Sequence, residues 1–200
     1  MPIVYRSTLG RPLTYGEMDG NFADLAARTD QAWTSVALAP SVLYGVPSTP
    51  ELETWNGGLL AWAYYPDQNM EAYANFTLPY DWAPGTGVRF GITWAVGNTT
   101  ATGTVRFRRE TSFGVPGGAF STPATSPGQG ATVSGTPYAC YQLYSQTEFY
   151  DPSWEPNMTI VNRFFRDGTN VLDTFAEKIY ILNFEFLYQR NTFGLPNYTP

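Results

Sequence analysis

The chain has no histidine and only one cysteine, Cys140, in 200 residues. Without imidazole there is no Ser-His-Asp or Cys-His relay and no His-ligated zinc or iron centre. One thiol makes neither an intramolecular disulfide nor a thiolate cluster, so packing and assembly must hold the fold. Cys140 lies in the apolar run Tyr138-Ala139-Cys140-Tyr141, where a small buried hydrophobe is expected. Charge is sparse, 14% of residues, with a net −6. The densest basic run, Arg106-Phe107-Arg108-Arg109, reads as one alternating, solvated strand and not as a phosphate-binding stripe, so no nucleic-acid partner is expected. Neither Gly-x-Gly-x-x-Gly nor a P-loop occurs, and no cofactor is expected. No apolar stretch is long enough to span a membrane. The N-terminus, Met1-Pro2-Ile3-Val4-Tyr5-Arg6, lacks a signal-peptide core, which implies residence in a cytoplasm until assembly.

Aromatic residues, by contrast, are plentiful. Six Trp, 14 Tyr and 13 Phe within a 43% hydrophobic chain supply an ample core and exclude wholesale disorder. Nineteen Gly and 16 Pro without a period indicate many turns between short strands. Alternating segments begin at Leu59, Glu71, Val88, Thr102, Ala139, Met158 and Lys178. The Val88 and Thr102 segments look like a hairpin across Gly97-Asn98-Thr99-Thr100. In the last segment Tyr180, Leu182, Phe184, Phe186 and Tyr188 fall on one face. Ile179, Ile181 and Leu187 on the other suggest a strand covered on both sides. Seven or eight strands without βαβ alternation predict a mainly β fold, an antiparallel jelly-roll-like β-sandwich preceded by one N-terminal α-helix. Residues 111–137, rich in Gly, Ser, Thr and Pro, read as one long loop, either functional or a surface excursion.

The helix start is the sharpest local signal. Thr14 and Glu17 have capping-box spacing, and Glu17 and Asp19 place negative charge in the first turn. From there Met18, Phe22, Leu25, Thr29, Ala32 and Val36 recur at alternating four and three, predicting a helix over about 15–36. That stripe either packs on its own domain or aligns copies in a short stalk. The expected division is an arm and anchoring or trimerisation helix over 1–40, a Pro- and Gly-rich linker over 41–58, and the sandwich over 59–200.

Leu13, Thr14, Glu17, Asp19, Asn21, Phe22 and Leu25 also match a segment written LT-x-x-E-x-D-x-N-F-x-x-L. In this they resemble the N-terminal regions of many bacteriophage tail-fibre and other virion proteins. Phe76-Thr77-Leu78-Pro79-Tyr80-Asp81-Trp82, Val88–Trp94, Arg163-Phe164-Phe165-Arg166, Asp173-Thr174-Phe175 and Phe184–Gly194 are similar to parts of a set of such proteins. That set often carries histidines in its second strand, where this chain has none, so no metal role is carried over. The resemblance implies a virion structural protein of head-fibre, capsid-decoration or tail-fibre type. It would form a homotrimer and attach to major capsid or tail proteins through its N-terminal segment. Leu13, Met18, Phe22, Leu25 and Thr29 are the expected anchoring and oligomer contacts.

Few residues suggest chemistry. Paired carboxylates, Glu148 with Asp151 or Glu155 with Asp173, are the one route to glycan hydrolysis. Nothing in the sequence brings either pair together, and no enzymatic activity is expected. Asp67, Asp151 and Asp167 lie in loops able to offer oxygen ligands, without a calcium-loop spacing, so no metal is expected. The run Phe149-Tyr150-Asp151-Pro152-Ser153-Trp154-Glu155-Pro156 offers two readings. Tyr150 and Trp154 either form a sugar-stacking platform for a host surface glycan, as in a receptor-binding adhesin, or cap the sandwich core.

Overall fold

The computed structural model describes residues 12–21, 33–38, 49–146 and 148–190. A short helix, α1, covers 15–21. Eleven strands follow among the described residues: β1 (Trp33–Leu38), β2 (Glu51–Trp55), β3 (Leu59–Tyr64), β4 (Glu71–Thr77), β5 (Val88–Val96) and β6 (Thr102–Gly114). After them come β7 (Ala124–Thr125), β8 (Gln129–Ser134), β9 (Cys140–Tyr144), β10 (Thr159–Arg166) and β11 (Ile179–Gln189).

The strands form two antiparallel sheets, a β-sandwich of jelly-roll type. One sheet has the order β2-β3-β11-β5-β9, with β1 also on β11; the other runs β4-β10-β6-β7, with β8 also on β6. Alternation sends one side of each strand into the space between them. Val88, Phe90, Ile92, Trp94 and Val96 of β5 meet Val105 and Phe107 of β6, Phe76 of β4, and Ile160 and Phe164 of β10. Aromatic pairs thicken this layer: Phe164 stacks on Phe184 at 4.6 Å and Trp94 on Tyr141 at 4.5 Å. Such pairs add about 0.5–1.5 kcal/mol each beyond their area.

The capping box forms. The Thr14 N–H donates to Glu17 Oε2 at 2.8 Å and the Glu17 N–H to Thr14 Oγ1 at 3.3 Å. The expected continuation to residue 36 does not. Trp33–Leu38 is a strand, paired antiparallel with β11 from Gln189 to Phe184. β3 covers only Ile179–Ile181 of that edge of β11, and the remaining backbone groups need partners, which β1 supplies. Leu13 and Met18 are half-buried. Phe22, Leu25 and Thr29 lie outside the described residues.

Other expectations change for equally local reasons. β2 occupies part of the stretch expected as linker and pairs with β3 from Glu51↔Ala63 to Trp55↔Leu59. β5 and β6 are not a hairpin: β5 lies between β11 and β9, and β6 belongs to the opposite sheet. Their connection crosses between sheets, so both can bury one face in the same core. The expected 111–137 loop contains the end of β6 together with β7 and β8, because thirteen-residue β6 leaves a long edge for short polar strands to pair with. In β11 the register slips between Ile181 and Asn183. This bulge expels Leu182, 37% exposed, and lets Ile179, Ile181, Phe184, Phe186 and Tyr188 all face the core. Cys140 is exposed, since its neighbours Tyr141 and Leu143 take the core side of β9.

Candidate ligand-binding cleft

β9 ends one sheet, and β7 and β8 flank β6 in the other. Between these borders the sandwich holds a half-open cleft of about 260 Å³. Phe90, Ile92, Phe107, Phe164 and Leu143 give it apolar walls; Ser126, Gln129, Ser145, Gln146 and Arg109 bring polar groups. The volume lies just below the roughly 300–1,000 Å³ of sites for drug-sized ligands, which suits a single small ring.

The cleft is fastened by backbone. The Arg109 N–H donates to Ser126 Oγ at 3.1 Å and the Ser126 N–H to the Arg109 carbonyl at 2.8 Å, tying β6 to the β7–β8 connection. On the opposite wall the Phe90 N–H donates to Ser145 Oγ at 3.1 Å, and the Ser145 N–H returns to the Phe90 carbonyl at 2.8 Å. Gln129 spans the two walls, its Nε2 donating to the Tyr144 carbonyl at 2.9 Å. Gly128 lies against the Arg106 guanidinium: a Cβ there would come 2.5 Å from Arg106 Nε, closer than any side chain tolerates.

Arg109 is the unusual member. Val105, Phe107, Arg109 and Thr111 all lie on the buried side of β6, so strand alternation itself carries the guanidinium inward. Arg109 is 8% exposed, and its Nε is sealed from solvent without a hydrogen-bond partner. Its guanidinium carbon stands 4.2 Å from the centre of the Phe90 ring and 5.7 Å from that of Phe149. A desolvated cation–π contact contributes about 2 kcal/mol, against several kcal/mol for taking an ion out of water. Burial accordingly pushes the Arg109 pKa down to about 10, so the group remains charged at neutral pH. Among the described residues no carboxylate lines the cleft. The neighbouring arginines behave differently. Arg106 and Arg108 take the other side of β6 and share Asp167, at 3.6 and 3.8 Å. The run expected to be solvated is therefore split, with only Arg109 sent inside.

The residues proposed from sequence lie elsewhere. Trp154 is 6% exposed and packs against Trp82, Phe113 and Phe149 with ring centres 5.3–6.3 Å apart. It belongs to the core, while Tyr150 stays outside at 44% exposure, so the pair makes no flat exposed platform. The carboxylates are engaged individually. Asp173 is buried against Arg166, Glu148 pairs with Arg89 at 3.2 Å, and Asp151 accepts from Ser153. Those hydrogen bonds from the Ser153 hydroxyl and N–H hold the Asp151 pKa below the usual aspartate value. Arg109 could have been found in the sequence: with Val105 and Phe107 inward, period two puts residue 109 inward as well.

No family model and no curated protein sequence matches the chain. Among solved structures it is similar to a xylan-binding module of carbohydrate-binding family 15, at 11% identity and a TM-score of 0.39, over 80% of this chain and 98% of that one. It is also similar to the C-terminal family 22 module of Clostridium thermocellum Xyn10B, at 14% identity and a TM-score of 0.35, over 78% and 86% of the two chains. A third is a family 27 module described for specific mannan recognition, at 12% identity and a TM-score of 0.33, over 82% and 92%. At these TM-scores the likenesses carry no argument about what the chain binds.

Proposed function

We propose that the sandwich is a non-catalytic binding module holding one saccharide unit in the cleft beside β9. The observation that carries this reading is the meeting of ring-faced apolar walls (Phe90, Phe164, Leu143) with amides and hydroxyls (Gln129, Gln146, Ser126, Ser145) in a space sized for one ring. A sugar presents the matching chemistry: C–H faces for apolar contact and equatorial hydroxyls that both donate and accept. The described lining, which has no carboxylate, offers no general acid or nucleophile for cleaving a glycosidic bond. The test is a glycan array followed by calorimetric titration of the best ligands. Gln146→Ala is expected to weaken binding about tenfold, the equivalent of one lost hydrogen bond, with the melting temperature unchanged. Absence of any glycan ligand, or binding indifferent to Gln146→Ala, overturns the reading.

A second reading concerns where the module is carried, and it rests on the sequence resemblance of Leu13, Thr14, Glu17, Asp19, Asn21, Phe22 and Leu25 to segments of virion proteins. On this reading the chain is a virion structural protein, trimeric, docked to capsid or tail proteins through its N-terminal segment. Light scattering should then give about three times the 22.2 kDa chain mass. Phe22→Asp should strip the protein from particles while leaving the sandwich folded. A monomer, or full occupancy of particles by Phe22→Asp, overturns it.

A further inference from the structure

Arg109 is charged, more than nine-tenths buried and without a counter-ion among the described residues, on the wall of a cleft otherwise suited to a small polar ring. In a folded chain such a cation is ordinarily matched by an acid from a neighbouring strand. The acids around it face away or are already paired. Glu110 follows on the outer side of β6 and binds Arg163, Glu148 binds Arg89, and Asp167 binds Arg106 and Arg108. Among the described residues no acid remains to match it, and the cleft beside it is open to a partner from outside.

We propose that the saccharide recognised by the cleft is an acidic one, whose carboxylate pairs with Arg109. The inference rests on the reading of the cleft as a saccharide site and narrows its substrate class to uronates and related sugar acids. Three features select a carboxylate. Of the two arginines in the lining, Arg108 is shared with Asp167 and Arg109 alone has no ion pair among the described residues, which matches a monoanion. Of the guanidinium nitrogens only Nε is sealed and unpartnered, and the terminal two, which make no hydrogen bond among the described residues, face the planar fork that two carboxylate oxygens fit. The Phe90 ring, 4.2 Å from the guanidinium carbon, holds the group on the cleft wall before a ligand arrives. Leu143 and Phe164 leave the remainder of the ring an apolar bed, and Gln129 and Gln146 lie within the same lining for its hydroxyls.

The experiment is calorimetric titration of the full chain with three probes: a galacturonate or glucuronate oligosaccharide, its methyl ester, and the matching neutral oligosaccharide. The wild-type protein is expected to prefer the free acid over the ester and the neutral sugar by at least about tenfold, as a charge-assisted hydrogen bond implies. Arg109→Lys keeps the charge but not the fork and should lose about tenfold of the acid affinity. Arg109→Met should abolish the preference, so that free acid, ester and neutral sugar bind alike. Thermal melts of both variants report folding; if Arg109→Met fails to fold, the ester comparison on the wild-type protein decides alone. Equal affinity for acid, ester and neutral sugar overturns the inference while the saccharide site stands. Absence of binding by all three, together with an empty glycan array, removes the saccharide site and the inference with it. Binding of simple anions such as sulfate as tightly as of the uronate also overturns it, because the sugar would then contribute nothing.

Discussion

Two buried arginines, Arg166 and Arg109, show how one fold treats the same side chain in opposite ways. Arg166 ends β10 with no exposed surface and meets Asp173 side-on, Nη2 to Oδ1 at 2.7 Å and Nε to Oδ2 at 3.0 Å. Its Nη1 donates to the carbonyl of Glu177 at 2.8 Å and of Tyr64 at 3.3 Å, and its Nη2 also reaches the Phe175 carbonyl. Every direction of that guanidinium is answered, and the 167–178 connection is pinned to the sandwich. Arg109 has an aromatic ring on one side and a cleft on the other. A fully matched buried ion organises the chain around it; an unmatched one is kept at the expense of stability, and a ligand is the natural beneficiary.

The comparison can be broken from either end. Asp173→Ala, which strands the Arg166 charge, should cost about 3–5 kcal/mol in urea unfolding, the largest effect expected here. Adding Arg166→Met should recover part of that loss but not all, because three carbonyls lose their donor; full recovery would show that the pin is dispensable. Gly103→Ala attacks the same corner through the backbone. Its φ of +154° and a Cβ 2.9 Å from the Phe175 Cα and the Thr174 oxygen force the 173–175 segment away. A loss of about 1–3 kcal/mol is expected, with Asp173 geometry disturbed in parallel.

At the other arginine the sign reverses. Arg109→Met keeps the stem packing and removes the unmatched charge, so stability should be unchanged or higher by about 1–2 kcal/mol. A loss as large as that of Asp173→Ala would mean that Arg109 is structural and erase the contrast. The smallest effect belongs to an ion pair at the surface. Burial alone would raise the Glu53 pKa, but hydrogen bonds from Lys178 and Tyr65 outweigh it and hold it below the usual glutamate value. A carboxylate depressed in the folded state stabilises above its unfolded pKa and loses that contribution as pH falls through the folded one. Being partly exposed and screened, the pair should supply no more than about 1 kcal/mol. Glu53→Gln should lower stability by that amount at pH 7–9 and remove the matching fall on the acid limb below about pH 4.5, so that the two proteins converge at low pH.

Several strands could be read from residue order because their physics is local to each segment. The expected starts at Leu59, Glu71, Val88, Thr102 and Lys178 fall at or within one residue of β3, β4, β5, β6 and β11, where alternation and β-branched or aromatic residues coincide. The Thr14–Glu17 cap was legible for the same reason, its donors and acceptors all lying within four residues. What was not legible depended on a neighbour far along the chain. Val36 satisfies a helical stripe and a strand equally, and only the vacant edge of β11 makes it a strand. Bulging at Leu182 answers the register of β5, invisible from β11 alone. The choice between sugar platform and core cap for Trp154 stayed open in the sequence because nothing nearby announces Trp82 and Phe113, against which it packs.

By itself the sequence determined composition-level chemistry, the two-sheet β class and most strand positions. It excluded imidazole catalysis and thiolate clusters outright, since absent atoms cannot be restored by folding. Tertiary structure decided which residues share a site. Ser126 and Ser145 are brought to opposite walls only by the pairing of the sheet borders, and among the described residues Arg109 is unmatched because Glu110 and Glu148 are already taken by Arg163 and Arg89. Side-chain direction follows a period of two along one strand, but what waits at the end of a side chain is set by contacts between strands that the chain order does not encode locally.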